Sequence, residues 1–270
     1  MFENSGNPLT AREEDIRYYC KVYTYPDGTQ DLVAASKPLF KEKGWETKTA
    51  KMAAKTAKMA AKVAKTAAKV ATDEARRAEN EARSMRRARA KVRRLALAND
   101  FTWFVTLTLD PEKVDRMDGA AVVKKLNAWC SNAVQRQGLK YILVPERHKK
   151  GGIHFHGFFN NALEVVESGH FDKKGHPIYN LPRWDLGFTT AIGLYGDYAS
   201  AVAYVCKYIG KQGEKPAGRW YYSGGSLVEP EESMVDISAG ELLDTFGSRA
   251  WSIEVPGALI AGVNGVKEDE

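Results

Sequence analysis

The chain has 270 residues, 44% of them hydrophobic and 27% charged, with a formal net charge of +6 and three cysteines. That length and apolar content support one or two domains with a substantial core and exclude a globally disordered chain. Cys20, Cys130 and Cys206 show no CxxC spacing, which argues against a disulfide framework or a thiolate zinc site and for a reducing, cytoplasmic setting.

The N-terminus lacks a basic start followed by an apolar run, and no stretch of about 20 apolar residues occurs anywhere, so neither an export signal nor a membrane contact is expected. The charges are sorted along the chain. Residues 48–99 hold sixteen Lys and Arg against four Asp and Glu, whereas from Leu227 onward ten acids face two bases. Basic density of this kind is the electrostatic footprint of a phosphate-backbone partner, with a solvated helix face as the plainer alternative.

After an N-terminal segment, 1–45, the sequence enters an internal repeat. "TAKMAAK" occurs twice in succession and is followed by "VAKTAAK". Lys48, Lys51, Lys55, Lys58, Lys62, Lys65 and Lys69 alternate steps of three and four, which lines them up on one stripe of a helix. Alanine is the best helix former and no Gly or Pro intervenes, so residues 46–99 are expected to form one basic helix about 75 Å long. Arg86 and Arg87 continue its basic character, and with the seven lysines they are the candidate DNA contacts, sequence-independent and salt-sensitive.

Composition changes abruptly after Asn99. "FTWFVTLTLD" is β-branched and aromatic and reads as a buried strand, followed by a helix over "MDGAAVVKKLNAWCSNAVQRQG". "LKYILVPERH" and "GIHFHGFFNNA" read as two strands of a hairpin joined by a glycine turn. A loop with Pro177 and Pro182 leads to a strand in "RWDLGFTTAIGL", and "YGDYASAVAYVCKYIGK" closes the region as an amphipathic helix stopped near Gly210. The pattern predicts an α+β fold over residues 100–222, with helices flanking a central antiparallel sheet of about five strands. Residues 223–270 are read as an acidic tail without assigned elements.

In a strand, His154 and His156 share one face while Ile153 and Phe155 take the other. Glu146 lies in the preceding strand. An odd-numbered turn puts it opposite His154 on the same face, and an even one puts it on the other. His148 has the same parity and competes as third ligand. Two imidazoles and a carboxylate, with positions left for water and phosphate oxygens, suit Mg²⁺ or Mn²⁺. Further on, Tyr204, Lys207 and Tyr208 stand at i, i+3 and i+4 and project from one helical face. A tyrosine hydroxyl can attack a phosphodiester polarised by a metal, with a lysine offsetting the charge that develops.

Taken in order, "FVTLTLD", "PERHKKGGIHFHGFF" and "YVCKYIGK" resemble motifs I, II and III of the rolling-circle replication initiators, the HUH endonucleases, in the form with a two-tyrosine motif III. The resemblance covers about half of the chain. It implies an HUH endonuclease domain whose sheet carries His154, His156 and Glu146 as metal ligands. It also implies that Tyr204 attacks single-stranded origin DNA, giving a 5′-phosphotyrosine and a 3′-OH that primes synthesis. Tyr208 would perform the second transfer, and Lys207 would position the phosphate or metal. Thr106, Thr108 and Asp110 fall within motif I. The lysine-rich helix lies outside the family's pattern, and the absence of a GxxxxGK[ST] loop assigns unwinding to a host helicase acting with a host polymerase. A relaxase or transposase of the same chemistry, and a non-catalytic nucleic-acid-binding protein, are the alternatives.

Overall fold

The computed structural model describes residues 20–36, 67–196, 198–211, 213–255 and 258–267. In chain order the elements are β1 (Cys20–Thr24), β2 (Gln30–Ala35), α1 (Ala67–Leu97), β3 (Trp103–Leu109), α2 (Gly119–Gln137), β4 (Tyr141–Arg147), β5 (Ile153–Phe159), β6 (Val166–Phe171), β7 (Pro177–Asn180), β8 (Gly187–Gly193), α3 (Tyr198–Tyr208), β9 (Tyr222–Gly224), β10 (Glu231–Val235), α4 (Ala239–Phe246), β11 (Trp251–Val255) and β12 (Ala258–Val266). The architecture is α+β with two antiparallel sheets, and the contacts divide the chain into two units.

The unit spanning Ala75–Pro230 is built on a seven-stranded sheet in the order β6-β7-β8-β3-β5-β4-β9, larger than the five strands expected. Neither β6 nor β7 is expected from the sequence, where Pro177 marks a loop. It occupies the first position of β7, where a strand tolerates proline. One sheet face is covered by α2. Asp118 caps that helix by accepting from the Ala120 N–H, and Gly138 ends it at φ +72°. Val122, Leu126, Cys130 and Ala133 recur at helical spacing and pack on Val105, Leu107, Leu143, Phe155 and Phe159. Each large apolar side chain buried there contributes about 1.5–3 kcal/mol.

The opposite face is covered by α3 and the C-terminal half of α1. Ala88, Val92, Leu95 and Ala96 form the apolar stripe of α1 and pack with Val202, Val205 and Ile209 of α3 over Ile142, Val144 and Phe158. The helix expected over 46–99 is seen from Ala67 onward; its earlier part lies outside the described residues. Gly157 lets the central strands approach one another, since a Cβ there would stand 1.8 Å from the Ile142 carbonyl oxygen.

The second unit joins the two ends of the described chain in a five-stranded antiparallel sheet, β10-β1-β2-β12-β11. Its core is Cys20, Val22, Leu32, Ala34, Ala261 and Val263 under Ala239 and Leu242 of α4. That helix starts with a capping box in which Ser238 and Glu241 satisfy each other's backbone N–H groups. Much of the stretch read as a tail is therefore folded. Its acids stand at exposed positions such as Glu231 and Glu232 of β10, so they bring no buried charge into the core. Among the described residues no helix is long and apolar enough to cross a membrane.

Candidate active site

The hairpin between β4 and β5 decides where Glu146 points. Its register pairs Glu146 with His154 and Arg147 with Ile153, so five residues, 148–152, form the connection. The Gly152 carbonyl accepts from the His148 N–H at 2.8 Å, and the His148 carbonyl from the Gly151 N–H at 2.7 Å. Gly151 adopts φ +88°, a conformation that glycine reaches without a Cβ penalty. The connection is odd in number, and Glu146 shares a face with both histidines.

On the other side of β5, strand β3 sets Thr106 opposite His156 and Thr108 opposite His154. Each hydroxyl lies 3.1 Å from the Nδ1 of its histidine. Nδ1 is thereby occupied in both rings, which leaves Nε2 as the ligating or proton-carrying atom. In His156, Nε2 lies 2.9 Å from Oε2 of Glu146, whose Oε1 accepts from Lys211 Nζ at 2.7 Å. The ring of His148 stands 5.0 Å from that of His154, centre to centre. Both competing third ligands are thus beside the pair, Glu146 bonded to His156 and His148 facing His154.

The tyrosines come from α3. Tyr204 is half exposed, and its hydroxyl accepts from the Tyr208 hydroxyl at 2.6 Å. The Tyr208 ring stacks on His156 with centroids 4.2 Å apart and an interplanar angle of 14°. Tyr204 meets Phe104 edge-on at 6.0 Å. Lys207 is exposed and makes no hydrogen bond or ion pair to the cluster. Lys211 takes the place expected of it: α3 stops just before Gly210, at φ +75°, and the next residue reaches Glu146 and lies 5.2 Å from the Tyr208 ring centre. The sequence signal was available, because 204, 208 and 211 are spaced i, i+4 and i+7 in "YVCKYIGK". Arg89, also missed, donates two hydrogen bonds to the Ile209 carbonyl at 3.0 and 2.6 Å, tying the end of α3 to α1.

Electrostatics follow from this arrangement. Burial lowers the basicity of His156, against the opposing pull of Glu146, and burial together with the charges of His148 and His156 lowers that of His154. Both imidazoles are held toward the neutral form that a metal requires. Burial by itself would raise the Glu146 pKa, but the Lys211 hydrogen bond and the nearby positive charges outweigh it, so its carboxyl stays ionised below the usual range. The Tyr208 phenol is pushed up by burial and by the hydrogen bond it gives to Tyr204.

In donor chemistry, two anchored imidazoles and an ionised carboxylate fit a divalent cation. Their arrangement is not closed around one point, however. Among the described residues no three His, Cys, Asp or Glu side chains are gathered as a metal-holding group, because Glu146 is turned to His156 and Lys211. Asp110 of motif I stands apart from this chemistry: its carboxylate accepts from the Glu112 N–H at 3.0 Å, closing a turn. Of the expected DNA contacts, Lys48, Lys51, Lys55, Lys58, Lys62 and Lys65 lie outside the described residues, as does the side chain of Lys69. Arg86 is half-buried on α1 and Arg87 is exposed.

Residues 102–213 match a family model of replication-associated proteins, the ORF2 family. The match covers less than half of the chain but contains the whole cluster, from Thr106 on β3 to Lys211 after α3. It supports a replication-associated protein of the initiator type. Comparison with curated proteins and with solved structures found no match.

Proposed function

We propose that this chain is an HUH-type endonuclease and strand transferase that nicks single-stranded DNA at a replication origin through a 5′-phosphotyrosine and thereby initiates rolling-circle replication. The observation that carries the reading is the stacking of Tyr208 on His156 at 4.2 Å, with Tyr204 hydrogen-bonded to Tyr208 and Glu146 bonded to the same histidine. A nucleophile pair and a ligand pair meet on one face of an antiparallel sheet, inside the span that matches a replication-associated family.

Tyr204 is the first nucleophile, being the more exposed of the two and the acceptor of the Tyr208 hydrogen bond, which stabilises negative charge growing on its oxygen. Its oxygen forms the bond to phosphorus as the P–O3′ bond breaks, and the departing 3′-oxygen takes a proton in place of the one the phenol loses. The released 3′-OH primes synthesis, and Tyr208 serves the later transfer that rejoins the strand. Lys211, beside Glu146 and Tyr208, offsets charge at the phosphate. His154 and His156, with Glu146, would hold Mg²⁺ or Mn²⁺, which when bound supplies Lewis-acid polarisation of the phosphate. Unwinding and extension fall to a separate helicase and polymerase.

Incubation with a 5′-tailed origin oligonucleotide and Mn²⁺ is expected to give a protein–DNA adduct that survives boiling in detergent. Persistence of that adduct in the doubly substituted Tyr204→Phe/Tyr208→Phe protein would sink the proposal.

A further inference from the structure

The unit that carries the tyrosines has a second cationic feature, sharing no residue with the cluster around His156. Between α1 and the segment that follows Lys211 lies an open cleft of about 530 Å³. One wall is a single face of α1, where Ser84, Arg87 and Lys91 recur at i, i+3 and i+7. The other wall brings Lys215, Arg219 and Tyr221. The two walls are tied together by Trp220, whose indole N–H donates to Ser84 Oγ at 3.1 Å and whose ring is buried.

Four side chains in this cleft are cationic at any physiological pH. Their engagements are weak and exchangeable. Lys91 pairs with the exposed Glu229, Lys215 stands 3.7 Å from Glu81 and 5.1 Å above the Trp220 ring, and Arg219 lies 5.9 Å from the Tyr222 ring centre. Arg87 is exposed and makes no hydrogen bond or ion pair among the described residues. Exposed pairs of this kind contribute about 0–1 kcal/mol, so an incoming phosphate displaces the carboxylates at little loss. Cations interleaved with the partly exposed ring of Tyr221 are the chemistry of a single-strand groove, in which phosphates meet charge and bases find a stacking surface.

We propose that this cleft is a second nucleic-acid site, in which Arg87, Lys91, Lys215 and Arg219 hold backbone phosphates of single-stranded DNA flanking the segment being cut, with a base against Tyr221. That the strand is DNA rests on the function proposed above. The site would give the protein a grip on its strand away from the reacting phosphate.

Anisotropy of a fluorescein-labelled single-stranded oligonucleotide, titrated with the full chain at several salt concentrations, tests the assignment. Arg87→Gln with Arg219→Gln removes two phosphate contacts. It is expected to weaken binding roughly 10-fold at 0.1 M salt and to lower the slope of log K against log salt by about 1.4. Lys124→Gln with Lys125→Gln, two exposed lysines on α2, makes the same change in net charge elsewhere and is expected to leave the slope within error of the unsubstituted chain. Equal losses from the two pairs, or no loss from the cleft pair, overturn the proposal, as does a cleft pair that weakens binding only of labelled poly-glutamate. A cleft effect that persists while the oligonucleotide never forms a tyrosine adduct would fail the nuclease reading and leave the cleft standing.

Discussion

Thr106→Val isolates the part of the site that lies behind the histidines. Valine keeps the shape of threonine and its preference for strands, so the perturbation is confined to the hydroxyl that lies 3.1 Å from His156 Nδ1. The His156 side chain is only 14% exposed, which leaves water little access to the orphaned nitrogen. Losing one neutral hydrogen bond and stranding its partner is expected to lower the unfolding free energy by about 1–2 kcal/mol. The functional loss is expected to be larger in proportion. A ring fixed only through Nε2 can tilt away from its metal and from Tyr208, and substitutions behind metal ligands typically lose about 10–100-fold in affinity or activity. The assay is the single-turnover rate of adduct formation across a Mn²⁺ titration, with urea unfolding alongside. The rate should fall at low Mn²⁺ and recover in part at saturation, and Thr106→Ser should restore it because the hydroxyl returns. A Thr106→Val protein as fast as wild type at low Mn²⁺, or a serine variant no better than valine, would refute the positioning role.

Tyr204→Phe alone should abolish the first adduct, whereas Tyr208→Phe should slow it and block the rejoining step; peptide mapping of the linked tyrosine checks the order. Gly157→Ala should destabilise the unit by more than about 2 kcal/mol, because its Cβ would stand 1.8 Å from a backbone oxygen of β4 that has no room to retreat, and a small loss of urea midpoint would contradict it. Both histidines have pKa values below their ordinary 6.5, so their contribution to stability is complete above that pH and is lost as pH falls through the lowered values; Glu146, below its ordinary 4.5, adds a further loss at more acid pH. Metal-free urea midpoints should therefore decline in two stages on acidification, and a flat profile from pH 7.5 to 4 would count against the assignment. Replacing the seven lysines from Lys48 to Lys69 by Gln should flatten the salt dependence of DNA binding while sparing cleavage of a short oligonucleotide at saturation, as followed by gel.

Period-2 alternation made the histidine face legible, and helical spacing made the tyrosine pair legible, because both are local properties of regular elements. Glu146 could be placed only conditionally, since its face depended on the parity of a turn that "HKKGG" does not dictate. Helical spacing favours Lys207 over Lys211 only as far as the helix runs, yet the chain turns at Gly210 and the lysine after the turn meets Glu146. The second sheet was missed for another reason. Its strands pair residues near opposite ends of the chain, Cys20 with Val235 and Ala35 with Ile260, and non-local pairing leaves no local periodic mark. The density of acids after Leu227 then hid a β-alternation already present in "WSIEV".

The position of the site follows from where the helices stop covering the sheet. Three rows cross β4, β5 and β3 on one face: Ile142, Phe158 and Phe104; then Val144, His156 and Thr106; then Glu146, His154 and Thr108. The first row is apolar and lies under α1 and α3, the third is polar, and the change happens within the middle row. Tyr208 stacks on His156 at that boundary, while Val205 and Ile209 of the same helical stretch are buried in the core beneath it. The packing that buries α3 is therefore the packing that aims its tyrosines, and Arg89 fixes the end of that stretch from α1. The basic helix has two separable parts as a result. Its lysine-rich beginning can be altered without touching this core, but removing Ala88–Ala96 would uncover Ile142, Val144 and Phe158 and release the tyrosines from the histidine they face.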